Sequence, residues 1–184
     1  MMLNLLTDRP SNRVLKYIII FSFVLILFVA PIMLGLLELS NYAGTIDDTQ
    51  LGFNGDIIKS YFALMSGDEI TLFIIANMLD YLFLISLGLL LFSSILLIAR
   101  GFGEMSNWRK VGLAASSLGV WYSILDGTEN VFLFAMASNP LNFPNWLAIA
   151  HSSFAFVKFC VMYVTLGWLI VGGIILIAVK IRDR

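Results

Sequence analysis

Residues 70–99 read ITLFIIANMLDYLFLISLGLLLFSSILLIA and contain a single charged side chain, Asp80. A helix that crosses the hydrocarbon core of a bilayer needs about 20 consecutive, mostly apolar residues. This run is longer than that, and it is continuously apolar rather than alternating, which favours a helix over the strand of a transmembrane barrel. The sequence therefore predicts that these residues cross a membrane as an α-helix.

Three further runs, 17–37, 111–136 and 146–179, have the same character. The chain has 184 residues, of which 60% are hydrophobic and 12% charged, whereas a soluble domain carries about 25% charged residues. We therefore expect a single all-α domain over residues 1–184, an integral membrane four-helix bundle whose first partner is the lipid bilayer. The run at 17–37 is too long for a cleavable signal peptide, and we interpret it as a signal anchor that is retained.

Lysine and arginine lie on one side of the predicted spans. They precede the first span, fill the second connection and follow the fourth span, as Arg9, Arg13, Lys16, Arg100, Arg109, Lys110, Lys180, Arg182 and Arg184. The connection at 137–145 has none, and the connection at 38–69, called here the first loop, has only Lys59. The positive-inside rule then predicts a multi-pass protein with both termini in the cytoplasm. A net charge of −1 without a basic, aromatic patch gives no indication of nucleic acid as a partner.

The first loop is acidic and carries apolar residues at helical spacing. Ile57, Ile58, Tyr61, Phe62 and Met65 predict a short amphipathic helix whose apolar face rests on the outer interface or on the top of the bundle. The residues 66–69, Ser-Gly-Asp-Glu, have the pattern of a capping box at the start of the second span. We weighed a lid over the bundle against a simple connector at the interface, and favour the connector.

Small residues in the third span predict a close contact between helices. Gly112, Ala115, Ser116 and Gly119 fall at spacings of about one turn in its cytoplasmic half, which lets two helix backbones approach each other. This pattern is a packing signal only. Cys160 lies within an apolar run, so we expect a small buried residue rather than a functional thiol.

Apart from His151, four charged side chains fall inside the predicted spans: Asp80, Asp126, Glu129 and Lys158. A charge at the bilayer centre costs at least about 2.5–3.5 kcal/mol, so these groups should point inward and find partners. Asp80 is eleven residues from Glu69, Asp126 eleven from Ala137 and Lys158 twelve from Trp146. At 1.5 Å per residue, each is about 17 Å below the outer surface, near the midplane. We expect Lys158 to pair with Asp80 or Asp126.

Neighbouring polar residues extend this set into a candidate site. Helical spacing groups them on one face of each helix: Asn77, Asp80 and Tyr81 on the second span, Tyr122, Asp126, Glu129 and Asn130 on the third, and His151 and Lys158 on the fourth. Glu129, Asn77 and His151 fall in the outer half, so the polar residues form a stripe from the outer surface to the centre. Three carboxylates and one lysine sum to −2 when ionised, which either a shared proton or a bound cation would relieve. Buried polar networks also fix helix register without any chemistry.

Several of these residues occur in a pattern that resembles a group of small, uncharacterised, four-span prokaryotic membrane proteins. The pattern comprises Leu79-Asp80-Tyr81-Leu82-Phe83 in the second span, Asp126, Glu129 and Asn130 in the third, and Lys158 in the fourth, preceded by Gly52-Phe53 and the amphipathic helix. The resemblance covers most of the chain after the first span. It implies a topology and a set of residues, and it implies no activity.

Three functions follow from these residues. The first is binding or conducting a small cation, a proton or an amine-bearing ligand, because intramembrane carboxylates are the usual parts of ion pathways. The second is an accessory subunit of a larger membrane complex, in which the polar stripe is structural. The third is a lipid-modifying enzyme with Glu129 or Asp126 as acid or base and His151 as partner.

Metal and cofactor chemistry has little support in the sequence. One histidine and one cysteine do not make a usual zinc site, and Mg²⁺ or Mn²⁺ on the carboxylates is only weakly indicated. Ser152 and Ser153, next to His151, carry no nucleophile motif. The sequence therefore predicts no metal site, and it names neither a cofactor nor catalytic residues.

Overall fold

The computed structural model describes residues 5–183, which contain helices and no strands. The four long helices are α1 (Asn12–Leu39), α4 (Gly67–Arg100), α5 (Asn107–Ala137) and α6 (Asn145–Arg182), and two short helices in the first loop are α2 (Ile46–Thr49) and α3 (Gly55–Phe62). The all-helical fold class is therefore confirmed. Each long helix extends beyond the predicted span at both ends, because polar residues that flank an apolar run continue the same backbone hydrogen bonding.

Three of the long helices, α1, α4 and α6, are long and apolar enough to cross a membrane, which indicates a membrane protein. Four such helices were expected. The remaining long helix, α5, has 31 residues but a more mixed composition. It combines serines and glycines with Asp126, Glu129 and Asn130, and these polar residues reduce its overall apolarity.

The chain forms two compact units, and each long helix contributes one stretch to each unit. Within residues 5–183, the first unit contains the chain up to Val24, Ile85–Ser123 and everything from Cys160 onward. The second unit contains Leu25–Leu84 and Ile124–Phe159. All charged candidate residues belong to the second unit, whereas Tyr122 belongs to the first.

The first unit packs around small residues of α5, as their spacing predicts. A Cβ atom on Gly119 would lie 2.7 Å from the backbone oxygen of Gly88 and 2.7 Å from the backbone nitrogen of Phe92. Since only hydrogen atoms fit between these backbones, α4 and α5 are in direct contact here. Gly112 faces Ala99 and the ring of Trp168 in the same way, and its Cβ would lie 2.3 Å from that ring.

Arg100, at the end of α4, holds the segment that precedes α1. Its guanidinium donates to the backbone oxygen of Leu6 at 3.0 and 2.8 Å, to that of Pro10 at 2.6 Å and to Oδ1 of Asn12 at 2.8 Å. Leu15, which is completely buried, follows this segment and packs in the core of the same unit. A residue that the sequence marked only as a cytoplasmic charge is therefore a structural anchor.

The core of the second unit joins α3 to the long helices. Ile58, Phe62 and Met65 are buried on one side of the short segment, and they belong to a cluster with residues of α4, α5 and α6. The other partners in this cluster are Phe73, Leu133, Met136, Ala137, Phe143, Leu147 and Ala148. Burial of this apolar area fixes the first loop against the second unit.

Side-chain hydrogen bonds set the shape of the first loop. The predicted capping box is present: the backbone nitrogen of Ser66 donates to Oε2 of Glu69 at 2.7 Å, and the nitrogen of Glu69 donates to Oγ of Ser66 at 3.3 Å. The hydroxyl of Tyr61 donates to Asp48 at 2.8 Å, which raises the pKa of Tyr61. Burial raises the pKa of its neighbour Tyr42 to about 12. The loop is thus an ordered element with its own polar contacts.

Replacing Gly119 by alanine should destabilise the protein, because the new Cβ meets backbone atoms of α4 that cannot move as a side chain does. Overpacking of this kind costs about 1–3 kcal/mol. We expect a lower midpoint of thermal unfolding in detergent micelles for Gly119→Ala. Gly167→Ala is the matched control on α6, since a Cβ at position 167 meets nothing within 4 Å. Equal midpoints for the two variants would contradict the close contact between α4 and α5.

Candidate functional site

The centre of the candidate site is an ion pair between one lysine and two carboxylates. Nζ of Lys158 lies 3.0 Å from Oδ1 of Asp126 and 2.5 Å from Oε2 of Glu129. The predicted pair of Lys158 with Asp126 is present, and Glu129 is an additional partner. We call Asp126, Glu129 and Lys158 the carboxylate–lysine cluster.

Helix geometry explains why both acids reach the same ammonium group. Asp126 and Glu129 are three residues apart on α5, so their side chains leave the same face of the helix one turn apart. Lys158 comes from α6, and its long side chain ends between them. All three are buried, with exposed fractions of 6%, 1% and 5%, so solvent screens their interaction very little.

His151 continues the polar network from the cluster toward the first loop. Its Nε2 lies 3.5 Å from Oε1 of Glu129, and the side chain is only 1% exposed. The backbone of Thr49 in α2 also contacts the imidazole. Nδ1 itself has no hydrogen-bond partner of good geometry among the described residues. The imidazole thus lies between Glu129 of α5 and α2 of the first loop.

Asp80 has a different partner from the one that was expected for it. Its Oδ2 accepts a hydrogen bond of 2.7 Å from Nδ2 of Asn130, which lies one residue after Glu129 on α5. The amide stabilises the carboxylate without neutralising it, and Asp80 is half-buried rather than buried. Asp126 and Glu129 are therefore the direct partners of Lys158.

The remaining predicted residues contribute less directly. The hydroxyl of Tyr81 donates to the backbone oxygen of Gly127 at 2.9 Å and ties α4 to α5 beside the cluster. Asn77 donates at 2.7 Å to the backbone oxygen of Phe73 in its own helix. Tyr122 is buried in the first unit. Cys160, which was expected to be buried, is exposed, because its position on α6 faces away from the core.

The first loop covers the His151 end of the network. The backbone nitrogen of Phe53 donates to Oγ of Ser152 at 3.1 Å, and that of Gly55 donates to Oδ1 of Asn145 at 2.6 Å. Phe53 has φ of 51°, a left-handed conformation that is unfavourable for a bulky residue. Its contact with Ser152 holds the loop across the first turns of α6.

Nothing in the sequence predicts this link between the first loop and α6. Ser152 had no motif, and Asn145 was treated as the boundary of a connection. Both side chains accept hydrogen bonds from backbone nitrogens about 90 to 100 residues away. Such contacts leave no periodic signal in a sequence, since only one of the two partners is a side chain.

Chemically, the arrangement can hold a proton or another positive charge. The cluster has two carboxylates and one ammonium group and therefore carries −1 when all three are ionised. In the described residues, 5–183, no three side chains of His, Cys, Asp and Glu form a group suited to a metal ion. The groups present are those that exchange protons and pair with cations.

No family model, curated protein or solved structure matches this chain. The resemblance to small four-span prokaryotic membrane proteins therefore stays a prediction. The site has to be interpreted from its own geometry.

Replacing Lys158 by methionine should be strongly destabilising, since it leaves two buried carboxylates without their cation. Removal of one partner from a buried ion pair typically costs about 3–5 kcal/mol. Thermal unfolding in detergent should show a large loss for Lys158→Met and partial recovery when Asp126→Asn and Glu129→Gln are added. Lys59→Met is the control, because Lys59 pairs with the exposed Asp56. A Lys158→Met variant as stable as Lys59→Met would rule out the ion pair.

Proposed function

We propose that this chain is a four-span integral membrane protein that binds and conducts a proton or a small cationic species through the carboxylate–lysine cluster. The observation that carries the proposal is the sharing of one buried ammonium group by two buried carboxylates. An isolated negative charge is unfavourable in a medium of low dielectric constant. The cluster therefore favours uptake of one additional positive charge.

Neutralisation can occur without breaking up the cluster. If Glu129 takes up a proton, Lys158 keeps Asp126 as its anionic partner at 3.0 Å. If a cation binds beside Glu129, it replaces Lys158 there, and the same pair with Asp126 remains. In both cases the charges of Asp126, Glu129, Lys158 and the added proton or cation sum to zero. A simple structural ion pair needs only one acid for one lysine. The second acid, Glu129, distinguishes the cluster from such a pair.

The proposed topology has α1, α4, α5 and α6 as spans of a four-helix bundle, with both termini in the cytoplasm and the first loop outside. Three observations support it: the positions of lysine and arginine, the three helices of sufficient length and apolarity, and the burial of the acids of α5. In this arrangement α5 turns its charged face toward α6, so that its polar residues do not meet lipid. The apolar side of α3 then lies over the outer end of the bundle.

Cysteine labelling tests the topology. In a Cys160→Ser background, Leu141→Cys places a thiol between α5 and α6, and Glu104→Cys places one between α4 and α5; both positions are exposed. We expect a membrane-impermeant maleimide added to intact cells to modify only Leu141→Cys. Glu104→Cys should react after the membrane is opened. Reaction of both, or of neither, in intact cells would contradict four spans with cytoplasmic termini.

Charge movement in proteoliposomes tests the binding function. A concentration jump of protons, Na⁺ or methylammonium should displace charge in the wild-type protein, and Glu129→Gln should reduce this signal at least about tenfold because it removes the acid that takes up the charge. Solid-supported membrane recording is the measurement. Asp56→Asn is the control, since Asp56 is an exposed acid of the first loop.

The two alternative functions, accessory subunit and lipid-modifying enzyme, predict different results. If no ion displaces charge and the purified protein carries a stoichiometric membrane partner, the cluster is a structural element of an accessory subunit. A lipid-modifying enzyme would instead convert an extracted lipid pool, and Glu129→Gln would abolish that conversion.

A further inference from the structure

We infer that the species taken up by the cluster is a proton and that it arrives from the first-loop side through His151. This inference rests on the proposed function and deepens it, because it names both the species and the residue that delivers it. Two independent observations carry it: the place of Lys158 between the two acids and the place of His151 between Glu129 and the first loop.

The position that a cation would occupy is already filled. Two buried carboxylates facing each other from one helix are a natural site for a small cation, but Nζ of Lys158 lies between them at 3.0 and 2.5 Å. A sodium ion or an amine would have to displace a tethered ammonium group, whose effective concentration is high because it belongs to the same chain. The ring of Phe159 lies 5.0 Å from Nζ and adds a further favourable contact for the lysine. A proton binds to Oε1 of Glu129, the oxygen that faces His151, without needing that space.

His151 has the geometry of a proton relay. Glu129 from α5 faces its Nε2, Lys158 lies seven residues along its own helix, and the backbone of Thr49 from α2 also contacts the ring. A neutral imidazole carries one proton and can accept a second on the other nitrogen. The ring thus contacts both Glu129 and the first loop.

The transfer balances in protons and charge. A proton from water binds Nδ1 of the imidazole, and the proton on Nε2 then passes to Oε1 of Glu129 when the 3.5 Å gap closes to hydrogen-bond distance. The Glu129 carboxylate becomes a neutral carboxylic acid, and the imidazole is again neutral with its proton on Nδ1. Reorientation of the ring, or return of a proton along the same path, resets it.

The first loop lies beside His151. The imidazole is 1% exposed, and the next residue, Ser152, accepts a hydrogen bond from the backbone nitrogen of Phe53. Because the imidazole is buried, water reaches Nδ1 only when the structure around it opens locally.

The experiment measures charge displacement in proteoliposomes under separate gradients of protons, Na⁺ and methylammonium. Wild-type protein should respond to the proton gradient alone. His151→Ala should lower that response about tenfold or more, whereas Ser153→Ala, an exposed serine two residues away, should not change it. Because the alanine variant leaves a space of the shape of the ring, added imidazole should restore part of the response; a merely structural histidine would not be rescued in this way.

The outcomes distinguish failure of the proton and His151 assignments from failure of the proposed function. Displacement of charge by Na⁺ or methylammonium would overturn the proton assignment and leave the proposed function intact. An unchanged proton response in a folded His151→Ala protein would overturn the role of His151. Loss of the response that imidazole does not restore would also overturn it, provided that the variant keeps the wild-type unfolding midpoint. Absence of a wild-type response to all three gradients would instead contradict the proposed function itself.

Discussion

A positive charge that is buried away from water has to be paired, and this constraint organises the second unit of the protein. Lys158 is held between Asp126 and Glu129, and all three side chains are removed from solvent. Because desolvation of a charge is expensive, the ion pair is tolerated only where the geometry satisfies it. The contact fixes α5 relative to α6 within this unit, and the other polar contacts of the unit are arranged around it.

Those contacts form a continuous series that begins at the first loop. Thr49 and Phe53 contact the region of His151 and Ser152, His151 faces Glu129, and Glu129 faces Lys158. Asp80 and Asn130 form a separate pair beside this series. The apolar cluster around Ile58 and Phe62 holds the loop in place independently of the polar contacts.

The sequence predicted the three members of the carboxylate–lysine cluster, but it predicted their pairing only in part. The positions of Asp126, Glu129 and Lys158 follow from helical periodicity and from the rule that charges avoid lipid. We expected Lys158 to pair with Asp80 or Asp126. That it pairs with Asp126 and also with Glu129 did not follow from the sequence, because the pairing depends on the rotation of the helices about their own axes. The same limitation applied to Cys160, which faces outward although the residues around it are apolar. In a membrane helix both the lipid-facing and the buried side are apolar, so the hydrophobic pattern does not distinguish them.

The sequence by itself determined the helical class, the approximate limits of the long helices, the capping box at Ser66 and the close approach at Gly119. Each of these depends on local backbone geometry or on the sizes of a few side chains at fixed spacing. Tertiary structure alone decided that Glu129 shares Lys158, that Asp80 pairs with Asn130, and that Ser152 and Asn145 hold the first loop. These contacts join residues far apart in the chain, and their energies depend on distances of a few ångströms that no local pattern encodes.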